Sequence, residues 1–220
     1  KIYAYARKAA EIFTAHQMRI SAMEEYILTS GAEFYFKGTR IRITFGFFAV
    51  WSVLIMQSPV SKAGELALLS CLLHEGGHIT AMAVMGIKPR SLTFYSGGIG
   101  MKSGAILSPA REIFILSAGC LVNLLLALAG TLTGSRILTG INLALMLFNL
   151  LPLPSLDGGR ILRTVVEAIF PGADISGVQN AFGIVMGIAA AVFFFVSGSI
   201  SFTLPLTLGL IVLEGLADRR

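Results

Sequence analysis

Six long apolar segments occupy most of the chain after residue 42, and they constrain its fold more than any other feature. A helix needs about 20 residues to cross the hydrocarbon core of a bilayer. Charged residues make up 13% of the 220-residue sequence, about half the usual share in soluble domains. A soluble chain of this size has too little interior to hide so much apolar surface. The sequence therefore predicts an all-α polytopic membrane protein with about six transmembrane helices, at approximately 43–57, 64–87, 110–133, 138–156, 179–198 and 202–217.

Two regions differ from this apolar background. Residues 91–101 combine β-forming residues with glycines, which predicts a short membrane-associated β-hairpin after the second helix. Residues 1–42 are predicted to form a separate, basic cytoplasmic arm. Apolar residues recur there near helical spacing, which suits an amphipathic helix on the bilayer or on the rest of the protein, with a solvated extension as the alternative. The transmembrane domain is then expected at 43–217, followed by a tail at 218–220.

The basic residues predict the orientation of the chain. If the N-terminus is cytoplasmic, the cytoplasmic side receives all of the 17 Lys and Arg residues except Lys62 and Arg136. The positive-inside rule therefore places both termini in the cytoplasm of an integral multi-pass protein, which we expect in a bacterial inner membrane. The net charge of +5 is explained by this topology, so no nucleic-acid partner is expected.

The second apolar segment contains an H-E-x-x-H motif, His74-Glu75-Gly76-Gly77-His78. Residues four apart lie on the same face of a helix, so both imidazoles can bind one Zn²⁺ ion, and Glu75 can take a proton from a zinc-bound water. The alternative is a pair of hydrogen-bonded core histidines. Ionisable residues in an apolar span are costly, however, which favours a functional site. Close approach of another helix would justify the two helix-weakening glycines.

A catalytic zinc usually has three protein ligands and one open position. Of the three aspartates in the sequence, Asp157 is the one flanked by apolar spans. Pro152 and Pro154 interrupt the helix before it, and a carboxylate at such a break can reach a metal on another helix. The alternative is that Asp157 caps the helix that starts near Gly158. His78 lies about 12 Å from the cytoplasmic end of its helix, so the site is expected in the inner half of the membrane.

Together these motifs resemble the site-2 protease family (M50) of intramembrane zinc metalloproteases, over roughly residues 41–217. The resemblance implies that His74, His78 and Asp157 bind Zn²⁺ and that Glu75 is the catalytic base. It also implies that Asn149 holds the substrate backbone. Asn123 matches the asparagine of a small-residue helix in the family, although Cys120 stands where a proline is common. Interhelical hydrogen bonding is the alternative role for both asparagines.

Within this family the six-span arrangement without a PDZ insertion is most similar to the sporulation factor FB-like group. That similarity implies a membrane-embedded or membrane-associated protein substrate, the release of a signalling or transcription factor, and inhibitory or regulatory membrane partners. Members of that group often carry a C-terminal CBS domain, which these 220 residues do not include. The sequence does not predict an oligomeric state.

The expected reaction is hydrolysis of a peptide bond inside the bilayer, with residues 91–101 offering a strand edge to an unwound substrate. The alternative is a non-enzymatic function, that of a membrane metal-ion transporter, because intramembrane His, Glu and Asp residues also mark ion pathways. A transporter would distribute such groups along several spans, whereas here they converge at one depth. A non-catalytic scaffold has no need for the complete set of Glu75 and three candidate ligands.

Overall fold

A four-stranded sheet and six helices form the described part of the chain. The computed structural model describes residues 31–56, 60–95 and 98–197. The elements follow one another as β1 (Gly31–Phe36), β2 (Thr39–Thr44), α1 (Phe45–Met56), α2 (Ala63–Val84), β3 (Pro89–Tyr95), β4 (Gly98–Ser103), α3 (Pro109–Leu132), α4 (Arg136–Asn149), α5 (Asp157–Ile169) and α6 (Ser176–Ser197).

The strands lie in the order β1-β2-β3-β4, with antiparallel pairs at both ends and a parallel pair, β2 with β3, in the middle. Lys37 and Gly38 connect β1 to β2 with positive φ angles of 48° and 84°, as a tight hairpin turn requires. The parallel pair needs a crossover, and α1 and α2 provide it. The sheet therefore joins two hairpins that are distant in the sequence.

The hairpin predicted after the second helix is present as β3 and β4, but it is only half of the sheet. Residues 31–42, which the sequence analysis included in the N-terminal arm, are strands that pair with each other and with β3. The helical pattern of the arm falls within residues 1–30, which lie outside the described residues.

The six-span prediction is not confirmed. In the part of the chain that the structure describes, one helix, α3, is long and apolar enough to cross a membrane, while α1 and α4 are apolar but have 12 and 14 residues. The fourth predicted segment extends to residue 156, whereas α4 ends at Asn149 because Pro152 and Pro154 follow it. The sixth segment, 202–217, lies outside the described residues.

Polar as well as apolar side chains are buried between the helices. The largest fully buried side chains are Asn123, Asn142 and Ser70, whereas leucines such as Leu121, Leu125 and Leu128 on α3 are about half exposed. Soluble proteins show the reverse distribution. An apolar exterior around a buried polar centre is the arrangement expected of helices that face lipid.

Small residues bring α2, α3 and α4 close together. A Cβ atom on Gly77 of α2 would lie 2.8 Å from the carbonyl oxygen of Ala118 on α3, and one on Gly130 of α3 would lie 2.7 Å from the backbone nitrogen of Thr139 on α4. The expected close approach is thus confirmed for Gly77. Gly76 has no such neighbour, since nothing lies within 4 Å of its Cβ position.

Candidate active site

Helix α2 presents His74 and His78 on one buried face. Each residue is 5% exposed, the ring centroids are 4.8 Å apart, and the two Nε2 atoms are 3.2 Å apart. This follows from the four-residue spacing, which places the second ring one turn along the same side of the helix.

Asp157 reaches the histidines from the first position of α5. Its Oδ2 atom lies 3.1 Å from Nε2 of His74 and 3.2 Å from Nε2 of His78. The two glycines that follow it allow this approach, because a Cβ atom on Gly158 or Gly159 would collide with the backbone of residues 150–153. The proline-containing break between α4 and α5 therefore turns the chain back sharply and delivers the carboxylate to α2.

The three donor atoms form a nearly equilateral triangle that fits a zinc ion. Their separations are 3.1, 3.2 and 3.2 Å. Ligand bonds of about 2.0–2.1 Å at tetrahedral angles place ligand atoms roughly 3.3 Å apart. Two imidazole nitrogens with one carboxylate oxygen also match the chemistry of catalytic zinc sites. The structure thus brings together the three predicted ligands, His74, His78 and Asp157, as one group able to hold a metal.

Helix α3 determines which ring nitrogens face this triangle. Nδ1 of His74 lies 2.7 Å from Oδ1 of Asn123, and Nδ1 of His78 lies 2.7 Å from the carbonyl oxygen of Ile115. Both oxygens accept, so both Nδ1 atoms donate, and in the neutral imidazoles the Nε2 lone pairs face the triangle, where they can bind a metal. Asn123 thus makes the interhelical contact that was the alternative to a family-specific role.

Gly119 leaves space for the two rings against α3. A Cβ atom at this position would lie 2.5 Å from Nε2 of His78 and 2.7 Å from Cε1 of His74. No larger residue fits there without moving the imidazoles. The small residue therefore belongs to the site itself, which the sequence analysis did not recognise.

Glu75, the predicted catalytic base, is half-buried and lines the same cavity as the histidines. The cavity has a volume of about 210 Å³, and its wall also includes Asn149, Gly100 and Ser103. Asn149 donates from Nδ2 to the carbonyl oxygen of Leu145, 3.0 Å away, so its Oδ1 is not used in that bond. Gly100 and Ser103 belong to β4, so a strand lies beside the predicted metal ligands.

Besides Gly119, two polar groupings at the site were not predicted. Asn142 and Ser70 extend the hydrogen bonds behind His74, and Glu112 on α3 lies 3.8 Å from Arg160 on α5 in the cavity wall. A polar residue inside an apolar segment is the available signal for Asn142, which lies two helical turns before Asn149. Its partner on another helix is not visible in the sequence.

Comparison with known proteins shows which family this chain resembles. The model of peptidase family M50 matches residues 129–194, which include Asp157. A candidate zinc metalloprotease of Synechocystis is 35% identical over 128 residues, and the candidate zinc metalloprotease Rip3 of Mycobacterium tuberculosis is 36% identical over 121 residues. The chain thus resembles peptidase family M50, the site-2 protease family. The matches cover 52% and 47% of this chain but 32% and 31% of the relatives, so it spans about a third of their length.

The fold of this chain is similar to that of a solved site-2 protease. The site-2 protease from Methanocaldococcus jannaschii superposes with a TM-score of 0.66, covering 87% of this chain and 96% of that chain at 22% sequence identity. The predicted likeness to the site-2 protease fold is therefore confirmed, whereas the match to the sporulation factor FB-like group stays a prediction.

Proposed function

We propose that this chain is an intramembrane zinc metalloprotease that hydrolyses a peptide bond in or near a membrane segment of a substrate protein. The observation that carries the proposal is the donor triangle of His74, His78 and Asp157, with Glu75 beside it in one cavity. The names of the relatives, both zinc metalloproteases, support Zn²⁺ as the metal. His74, His78 and Asp157 would hold it.

The roles of the surrounding residues follow from their positions. Zinc bound at this site would acidify a water molecule and polarise the scissile carbonyl group. Glu75 accepts the proton of the attacking water and passes it to the leaving nitrogen, since it lines the cavity and is not needed as a ligand. Asn149 orients the substrate backbone with the Oδ1 atom that its helix leaves unused.

Strand β4 receives the substrate in this proposal. A helical segment must unwind before its carbonyl groups become accessible, and the unwound chain then needs hydrogen-bond partners. Among the described residues β4 is one of the two edge strands of the sheet and pairs only with β3, and its Gly100 and Ser103 line the cavity. An extended substrate added to β4 would therefore pass beside the metal ligands.

The finer parts of the proposal rest on the sequence. The basic residues support six spans in a bacterial inner membrane with both termini in the cytoplasm. The similarity to the sporulation factor FB-like group supports a membrane-associated signalling or transcription factor precursor as the substrate, with inhibitory or regulatory membrane partners. The similarity to peptidase family M50 gives no support to the metal-ion transporter.

One comparison tests the proposed activity. The purified protein in detergent is assayed for bound zinc and for cleavage of a transmembrane reporter, next to Glu75→Gln and Glu65→Gln. Glu65 lies on the same helix but is exposed and far from the cavity wall, so its variant is the matched control. We expect zinc to remain in all three proteins and cleavage to fall at least about 100-fold in Glu75→Gln only.

Two results would contradict the proposal. Unchanged cleavage in Glu75→Gln would remove Glu75 from the reaction. Zinc uptake into vesicles that is insensitive to Glu75→Gln, together with no cleavage by the wild type, would favour the transporter instead.

A further inference from the structure

A chain of buried hydrogen bonds leads away from His74 into the helical interior. Asn123 on α3, which accepts from His74, lies with Nδ2 3.4 Å from Oδ1 of Asn142 on α4. Asn142 in turn has its Nδ2 3.0 Å from Oγ of Ser70 on α2. Asn123 and Asn142 are 0% exposed and Ser70 is 2% exposed, so all three side chains lie away from bulk water.

The direction of every bond in this chain is fixed from its far end. Nδ2 of Asn142 lies 3.0 Å from the carbonyl oxygen of Leu138 as well as near Ser70. A carbonyl oxygen only accepts, so the amide of Asn142 must point its NH₂ group there and its Oδ1 toward Asn123. Oδ1 also only accepts, so the NH₂ group of Asn123 must face Asn142. The Oδ1 of Asn123 is thereby left for His74.

This order decides the protonation pattern of His74. With Oδ1 of Asn123 beside it, Nδ1 must carry the proton, and Nε2 keeps the lone pair that a metal needs. If the amide of Asn123 were reversed, its NH₂ group would face Nδ1 and favour the proton on Nε2, where it blocks the metal. We infer that Asn142, held by Ser70 and the carbonyl of Leu138, is a positioning residue that fixes the metal-binding tautomer of His74 through Asn123.

The inference rests on the metal site of the proposed function and extends it to two residues that touch neither metal nor substrate. Partners outside the ligand shell of metal sites typically change metal affinity 10–100-fold when removed. Here the effect should depend on the kind of hydrogen-bonding group at position 142 and not on its packing alone, since only an acceptor toward Asn123 is required.

Four variants separate this role from a general loosening of the helices. Asn142→Leu keeps the size but removes the acceptor, whereas Asn142→Asp keeps an oxygen acceptor toward Asn123. Thr139→Val is the matched control, because Thr139 lies one turn away on α4 and its Oγ1 bonds to Ala127 of α3, 3.3 Å away. Ser70→Ala removes a single oxygen atom behind Asn142.

Zinc affinity is measured by chelator competition with the full chain in detergent. We expect affinity to fall at least about tenfold in Asn142→Leu, to stay within about threefold of wild type in Asn142→Asp, and to be unchanged in Thr139→Val. Ser70→Ala should lose about threefold. It keeps the test decisive if Asn142→Leu does not fold, and unchanged affinity in Ser70→Ala would then overturn the inference.

A second readout reports the tautomer directly. Nitrogen NMR of ¹⁵N-histidine-labelled protein distinguishes Nδ1–H from Nε2–H, and the chain has only three histidines. With zinc removed from all three proteins, His74 should show a larger share of Nδ1–H in the wild type and Thr139→Val than in Asn142→Leu.

The inference would be overturned if Asn142→Leu kept the zinc affinity and the His74 tautomer of the wild type. It would also be overturned if Thr139→Val lost as much zinc affinity as Asn142→Leu, or if Asn142→Asp bound zinc no better than Asn142→Leu. In each of these cases the wild type still binds zinc, so the proposed function stands. A wild type that binds no zinc would refute the proposed function first.

Discussion

Replacement of Gly119 by alanine tests the site with one methyl group. The new Cβ atom would lie 2.5 Å from Nε2 and 2.6 Å from Cε1 of His78, and 2.7 Å from Cε1 of His74. Ordinary van der Waals contact begins near 3.4 Å, so the rings or α3 must shift by roughly 0.7–0.9 Å. The rings cannot rotate away without losing their bonds to Asn123 and Ile115, which are both 2.7 Å long.

The expected magnitudes follow from that displacement. Forcing a methyl group into a filled interior typically costs about 1–3 kcal/mol of unfolding free energy. A shift approaching 1 Å at a catalytic group costs about 100-fold in rate. Because the shift falls on the donor triangle, we expect Gly119→Ala to lose at least tenfold in zinc affinity and about 100-fold in kcat/KM.

Two other glycines serve as controls in chelator competition and thermal unfolding. Gly130→Ala on the same helix meets Thr139 at 2.7 Å but lies away from the metal ligands, so it should lower Tm while the folded protein keeps its zinc affinity. Gly140→Ala on α4 meets nothing within 4 Å and should raise stability by up to about 1 kcal/mol. Wild-type zinc affinity and Tm in Gly119→Ala would refute the described packing of His74 and His78 on α3.

Three further outcomes are expected. A strong chelator should abolish reporter cleavage and lower Tm, and added Zn²⁺ should restore both. The reason is that zinc would lie between the Asp157 carboxylate and the two imidazoles. Cleavage that survives complete zinc removal would contradict the proposed chemistry. Gly77→Ala should lower the free energy of unfolding by about 1–3 kcal/mol, and with it Tm, because its Cβ atom meets the backbone of Ala118. Gly76→Ala should not lower Tm. Equal effects of the two variants in thermal unfolding would be inconsistent with the helix contact. Gly100→Pro, which alters β4 beside the cavity, should reduce cleavage of a transmembrane reporter while zinc affinity stays unchanged, and unaltered cleavage would argue against strand addition.

The ligand set was predictable because its information is local. Four-residue spacing makes His74 and His78 neighbours on any helix, and Asp157 stands out as the one aspartate between apolar spans. The fit of the three donors required the structure, since it depends on how sharply residues 150–156 turn. The sequence offered one reason for both Gly76 and Gly77, and only the packing of α2 on α3 shows that the second of them meets another helix.

The hydrogen-bond partners behind the ligands were not predictable, although Asn123 was itself a candidate for interhelical hydrogen bonding. Asn123, Asn142 and Ser70 lie on three helices, and the sequence distances between them, 19 and 72 residues, carry no periodic pattern. The sheet shows the same limit. β2 pairs in parallel with β3 across two intervening helices, so the β1–β2 hairpin could not be assigned to the same sheet from local patterns.

The short connection between α2 and β3 has a consequence for where a substrate is cut. Only residues 85–88 separate the helix that carries both histidines from the strand that pairs with β4, so the chain connects the sheet to the metal ligands over a short distance. A substrate strand paired with β4 would change its register in steps of two residues, about 6.8 Å, if the same side chains are to face the same side of the sheet. The pairing register would thus help determine the cleavage position. The hydrolysed bond would be selected by its distance from the residues that pair with β4, and not by its flanking side chains alone.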